Sequence, residues 1–307
     1  MNDSVRDRAI GALVGLAVGD AVGTTLEFSP RDSYEPLRDM IGGGPFRLAA
    51  GQWTDDTSMA LCLADSLLEQ DGLDPHDLMT RFTGWWRDGT NSCTGTCFDI
   101  GNTVRAALES YKRTGEPYSG SDDPYSAGNG SLMRLAPVAI RWCMSAGLAE
   151  TAARDQSRTT HGAPACLEAC AFMTRLMIEA IGGATKAEIL EPRRWPQNPD
   201  IDRIAGGTYG ARNRDDVRGS GYVVDCLEAA LWAVHNAGGF REAILLAANL
   251  GDDADTTAAV AGQLAGAIWG NTMIPSDWRK KLAWCRQIEA TADRLYLAGA
   301  SERTAKI

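Results

Sequence analysis

An all-α fold follows from three features of this 307-residue sequence. Apolar residues recur at helical spacing along most of it. Alanine is abundant in those stretches and favours helix. No run alternates as a half-buried strand does, and nothing suggests a parallel sheet of βαβ units. The length permits one large domain or two ordinary ones, and a single domain over 1–307 is expected. Hydrophobic residues at 44% and charged residues at 23% give a globular balance that excludes a disordered chain.

Helices are expected over 6–22, 58–70, 74–88, 98–114, 132–146, 163–181, 186–191, 221–236, 240–248, 256–269 and 275–297. The first carries Gly11, Gly15, Gly19 and Gly23 along one side, where another backbone can approach closely. Arg6 and Arg8 ahead of the apolar run 9–19 imitate a signal peptide. That run is short, stops at Asp20 and follows acidic Asp3 and Asp7. It also falls short of the ~20 apolar residues of a membrane span, so a buried helix and no integral membrane segment are expected. The loops 41–51, 115–130 and 192–221 gather glycine and polar residues. The last, with Pro192, Pro196 and Pro199, reads as a long excursion packed on the helical body.

Two helices open on acidic clusters. Trp53-Thr54-Asp55-Asp56-Thr57 precedes one, and Gly251-Asp252-Asp253-Ala254-Asp255-Thr256 precedes the other. A single Asp or Thr suffices to cap a helix, whereas these starts hold five Asp and three Thr. Brought together, the carboxylates would repel unless cations sat between them. The donors are all oxygens, which selects hard ions such as Mg²⁺ or Mn²⁺ over Zn²⁺ or copper. A net charge of −10 argues against a nucleic-acid partner. The eight cysteines show no zinc-like Cys-x-x-Cys spacing, which suits a reduced, cytoplasmic protein.

Other segments gain meaning beside these. Asp20 interrupts an apolar helix and needs partners, with Glu27 following. Cys97-Phe98-Asp99-Ile100-Gly101-Asn102-Thr103 places a glycine between an Asp and an Asn, open to close approach by a ligand. Gly128-Asn129-Gly130-Ser131-Leu132-Met133-Arg134 is a turn feeding a helix, a natural phosphate cradle. His161 stands just before the helix from 163, and Tyr222 could stack on a base or ribose. Singly, each has a plainer explanation: capping for Asp20 and Asp99, exposure for Glu27, a structural His161, a core or surface Tyr222.

In combination they resemble the ADP-ribosylglycohydrolases, and most of all the dinitrogenase-reductase-activating branch found in nitrogen-fixing bacteria. The likeness runs from residue 15 to residue 270. It comprises Gly19-Asp20-Ala21 with Glu27, Thr54-Asp55-Asp56-Thr57, Asn129-Gly130 with Met133-Arg134, Thr160-His161, and Asp253-x-Asp255-Thr256. The resemblance implies an all-α fold with two divalent cations, Mg²⁺ or Mn²⁺, at the base of a cleft. Thr54, Asp55, Asp56, Asp253, Asp255 and Thr256 would be the ligands. Asn102, Asn129, Gly130, Ser131, Met133, His161 and Tyr222 would lie along ADP-ribose, with Asp99 and Glu27 at the ribose whose bond is cut. Many relatives have Gly-Gly-Asp where this chain has Gly251-Asp252-Asp253, and Asp252 is expected to support rather than ligate.

The implied activity is hydrolysis between C1 of the distal ribose and the guanidinium of a modified arginine. The implied substrate is an ADP-ribosylated protein, with dinitrogenase reductase the leading candidate, acted on by a monomer under a nitrogen-signalling regulator. Serine or O-acetyl linkages, an ADP-ribose-binding relative without turnover, and a dinuclear nucleotide phosphohydrolase are the alternatives.

Overall fold

The computed structural model describes residues 3–304 and, among them, fourteen α-helices and no strand. In chain order these are α1 (Asp3–Gly23), α2 (Asp55–Glu69), α3 (Pro75–Asp88), α4 (Asn102–Thr114), α5 (Ala136–Arg141), α6 (Ala146–Arg158) and α7 (Pro164–Gly182). Then follow α8 (Lys186–Ile189), α9 (Pro199–Ala205), α10 (Val223–Asn236), α11 (Phe240–Ala248), α12 (Ala254–Trp269), α13 (Ser276–Lys281) and α14 (Cys285–Thr304). The all-α expectation holds.

Glycine spacing sets the axis of the molecule. A methyl group added at Gly11, Gly15, Gly19 or Gly23 would run into the backbone of Gly266, Gly262, Ala258 or Ala254 respectively. The paired numbers descend as the others rise, so α1 and α12 lie antiparallel with their backbones in contact. Gly262 and Gly266 meet the carbonyls of Gly15 and Gly11 in return. Around this pair pack α2, α5, α7, α10, α11 and α14. The segment Asp3–Leu26 is longer and more apolar than the run 9–19 suggests, enough by length and composition to cross a membrane. It is nevertheless buried on nearly all sides as the central helix of the core.

Peripheral helices obey local rules. Asp74 caps α3 by accepting from the N–H groups of His76 and Asp77, Pro75 supplies the first turn, and Gly89 closes the helix in the left-handed conformation. Thr185 and Glu188 form a reciprocal capping box on α8.

Four expectations need correction. The helix expected over 132–146 is confined to α5, and a separate helix, α6, follows it. The buried face of α6 is made of Ala149, Ala152, Ala153, Gln156 and Ser157, with no large apolar side chain to mark it. The helix expected over 275–297 breaks between α13 and α14, because Ala283 N–H turns to the Gly51 carbonyl and Trp284 takes φ 55°. The excursion 192–221 contains α9, started by Asn198 accepting from the N–H groups of Asp200 and Ile201. The helix expected over 98–114 begins only at Asn102, since Gly101 is extended.

Candidate functional site

The antiparallel register of α1 and α12 decides what meets at one end of the pair. As α1 finishes, Asp20 and Glu27 arrive beside the start of α12, where Asp253 and Asp255 stand. The start of α2 closes the group from the side. Asp20, fully buried, accepts from Thr54 N–H at 2.9 Å, Thr54 Oγ1 at 2.9 Å, Thr57 N–H at 3.0 Å and Thr57 Oγ1 at 2.6 Å. It thereby caps α2 from another helix. Glu27 does the same for α12, its Oε2 accepting from Ala254 N–H at 2.8 Å and Asp255 N–H at 3.3 Å. Acceptor oxygens at both helix starts satisfy N–H groups that have no partner within the helix.

Two groups of carboxylates result. Asp20, Asp56 and Asp255 form one and Glu27, Asp253 and Asp255 the other, each offering oxygens within 4.8 Å of one another. Asp255 belongs to both. Thr54 Oγ1 lies 3.2 Å from Asp56 Oδ2 and 3.3 Å from Asp255 Oδ2, and Asn129 Nδ2 donates to Asp253 Oδ2 at 2.7 Å. Among the described residues no ion pair reaches any of these acids. Burial, and then the charges of neighbouring carboxylates, push Asp55, Asp56 and Asp255 well above the usual carboxylate range. Burial lifts Asp20 to about 6 and Glu27 to about 8. Asp56 Oδ1 is buried with no hydrogen-bond partner. A carboxylate set this dense, with an oxygen left over, is one that could hold metal.

Above these acids opens a cleft of about 760 Å³ lined by Glu27, Asp55, Asp99, Asn102, Asn129, Gly130, Met133, His161, Asp253, Asp255 and Thr256, among others. Most of the expected site residues therefore share one cavity. Asp56 and Thr54 lie beneath its floor, fully buried or nearly so. Ser131 is turned into the core, where its hydroxyl accepts from Ser157 Oγ at 2.8 Å and Cys170 Sγ at 3.5 Å. Tyr222, exposed at the start of α10, lies beside Gly128 at the rim rather than in the lining. Asp99 faces the cleft half-buried, and burial holds its carboxyl at about 6.

His161 is positioned through a relay absent from the expectations. Arg134, wholly buried, donates to Gln156 Oε1, the Gln156 carbonyl and, at 2.9 Å, Thr160 Oγ1. Thr160 Oγ1 in turn lies 2.8 Å from His161 Nδ1. Among the described residues Nδ1 is the acceptor within reach of the Thr160 hydroxyl proton, and a hydroxyl donating there goes with the tautomer that carries its ring proton on Nε2. Burial, then the charge of Arg134, pushes His161 down to about 3, so the ring is neutral at working pH. Gly128 and Gly130 sit against the ring; a methyl group on Gly130 would come within 2.8 Å of Cε1. The Met133-Arg134 and Thr160-His161 pairs were visible in sequence, but the link between them needs three dimensions.

A family model for ADP-ribosylglycohydrolases matches residues 1–305. The chain belongs to the ADP-ribosylglycohydrolase family. It is 52% identical to the ADP-ribosylarginine hydrolase Tri1 of Pseudomonas putida (strain GB-1), across 94% of this chain and 78% of that one. It is 36% identical to the ADP-ribosyl-[dinitrogen reductase] glycohydrolase of Rhodospirillum rubrum, across 91% of each. A solved structure described as an ADP-ribosylglycohydrolase-related protein complex superposes with a TM-score of 0.87 at 43% identity, covering 97% of this chain and 100% of that one. The likeness to the nitrogenase-linked branch is present, at lower identity than that to Tri1.

Proposed function

We propose that this glycohydrolase removes ADP-ribose from arginine side chains of modified proteins by cleaving the N-glycosidic bond at C1 of the distal ribose. The observation that carries the reading is the pair of carboxylate groups sharing Asp255 beneath a cleft walled by Asn129, Gly130 and His161. The arginine linkage is supported by the name of the 52%-identical relative. Dinitrogenase reductase, as the acceptor protein, rests on the 36%-identical relative alone.

Two divalent cations, Mg²⁺ or Mn²⁺, fit the floor. Asp20, Asp56 and Asp255 would hold one and Glu27, Asp253 and Asp255 the other, with Thr54, Asp55 and Thr256 adjoining. When bound, they supply positive charge and Lewis acidity toward the ribose hydroxyls and water. The remaining work falls to the chain. Asp20 and Glu27, fixed by backbone N–H groups, hold the starts of α2 and α12 in place. His161 offers Nε2–H toward the turn 128–130, where a phosphate oxygen would lie against backbone unobstructed by a Cβ at Gly130. Ser131 shapes that turn from behind. Asp99, ionised at neutral pH, faces the carbon that gathers positive charge as the bond breaks.

The test is release of free ADP-ribose from a panel in which it is joined to arginine, serine or an acetyl group. Release from arginine is expected. Binding of ADP-ribose without release from any substrate would leave a reader protein instead.

A further inference from the structure

Two residues at the mouth of the cleft hold backbone conformations that side chains ordinarily avoid. Phe28 (φ 60°) and Asp252 (φ 57°) are both left-handed, and both are exposed. They are locked together: Phe28 N–H donates to the Asp252 carbonyl at 2.8 Å, and Asp252 N–H donates to the Ser29 carbonyl at 2.8 Å. Glycine would take either position without strain. A bulky aromatic and a carboxylate kept there point to what their side chains present.

Both side chains line the cleft that holds Glu27 and Asp99. The Phe28 ring, 66% exposed, stands edge-on to Phe46 with centroids 6.1 Å apart, and Phe46 packs on Phe98 at 5.2 Å. The rings next in sequence to Glu27 and Asp99 are thus joined through one aromatic, which braces Phe28 without covering it. Asp252 belongs to neither carboxylate group on the floor, and its side chain makes no hydrogen bond among the described residues.

We propose that the Phe28 face and the Asp252 carboxylate form the subsite for the acceptor side of the scissile bond, and that it takes a planar cation, the guanidinium of the modified arginine. This rests on the arginine-linked reading above and deepens it. A guanidinium keeps its charge, stacks on an aromatic face and pairs with a carboxylate through its fork of N–H donors. A serine oxygen or an acetyl group brings neither charge nor donors, so the same two residues would discriminate against both.

The test measures kinetics on an ADP-ribosylated arginine peptide for wild type, Asp252→Asn, Asp252→Gly, Phe28→Leu and Phe28→Tyr, with agmatine and free ADP-ribose as inhibitors. Asp252→Asn, Asp252→Gly and Phe28→Leu should each raise KM about tenfold with kcat changed less than about threefold. They should weaken agmatine inhibition by a similar factor and leave ADP-ribose inhibition unchanged. Phe28→Tyr keeps the ring and should hold agmatine inhibition within about threefold of wild type. Asp252→Gly relieves the backbone and should melt no lower than wild type, so its loss is not one of folding. Unmoved KM and agmatine inhibition, or a parallel loss of ADP-ribose inhibition, would overturn the subsite while wild-type turnover keeps the arginine reading. A wild-type protein that releases ADP-ribose only from serine or acetyl linkages would overturn both.

Discussion

The two ends of the α1–α12 pair have the same geometry and opposite character. At one end, Gly11 and Gly15 lie against Gly266 and Gly262, dry and without a charged group between them. At the other, past Gly19 and Gly23, Asp20, Glu27, Asp253 and Asp255 crowd around Asp56. The first end explains how the second is possible. Backbone contact through glycine leaves no slack in register, so carboxylates from distant parts of the sequence are held together despite their repulsion. Core packing here is the means by which a charged site is assembled.

Substitutions at the two ends should have different consequences. Removing charge at the acidic end should have the largest effect. Asp255→Ala takes a carboxylate from both groups, so turnover at saturating Mn²⁺ should fall by about 10³-fold or more while circular dichroism stays native. Near-normal activity would dissolve the proposed site.

Crowding the dry end comes next. Gly262→Leu forces a side chain into the Gly15 carbonyl and should lower unfolding stability by about 3 kcal/mol in urea titration. Gly147→Ala in α6, which meets nothing within 4 Å, should change it by less than about 1 kcal/mol and in the favourable direction. Equal responses would mean that close backbone approach does not set the register.

Solution conditions sharpen the contrast. Folded-state values near 6 for Asp20 and near 8 for Glu27 lie above those of the unfolded chain. Folding thus favours the protonated acids, and that stabilisation is present at low pH and lost as pH rises from about 4 to about 8. Metal-free protein should accordingly melt lower at pH 8 than at pH 5, and Mn²⁺ should restore the difference. A metal-free melting temperature that climbs over this range would show the acids to be relieved in some other way.

The smallest effect is expected at the cleft wall. Thr160→Val removes the hydroxyl that sets the His161 tautomer and should lower kcat/KM about fivefold, chiefly through KM. An unchanged KM would detach His161 from the ligand.

Much of the site was legible because its chemistry is local in sequence. Two helix starts with more carboxylates than a cap requires were enough to mark Asp56 and Asp255, and glycine at every fourth position marked the face of α1. What sequence did not reveal depends on long-range contact. Asp20 and Glu27 act as caps for helices that begin dozens or hundreds of residues away, a role no local pattern carries. The Arg134–Thr160–His161 relay joins two turns, and Phe28 and Asp252 owe their exposure to a pairing across the chain. Helix limits failed where tertiary bonds override propensity, as at Ala283, or where the buried face carries only alanine and polar residues, as in α6.

Asp255 would serve two metal positions at once. Equilibrium dialysis with Mn²⁺, read together with electron paramagnetic resonance, tests it most directly. Wild type should take up two ions per chain with the spectrum of a coupled pair, and Asp255→Ala should lose both. Two independent six-line spectra, with one surviving that substitution unchanged, would contradict it.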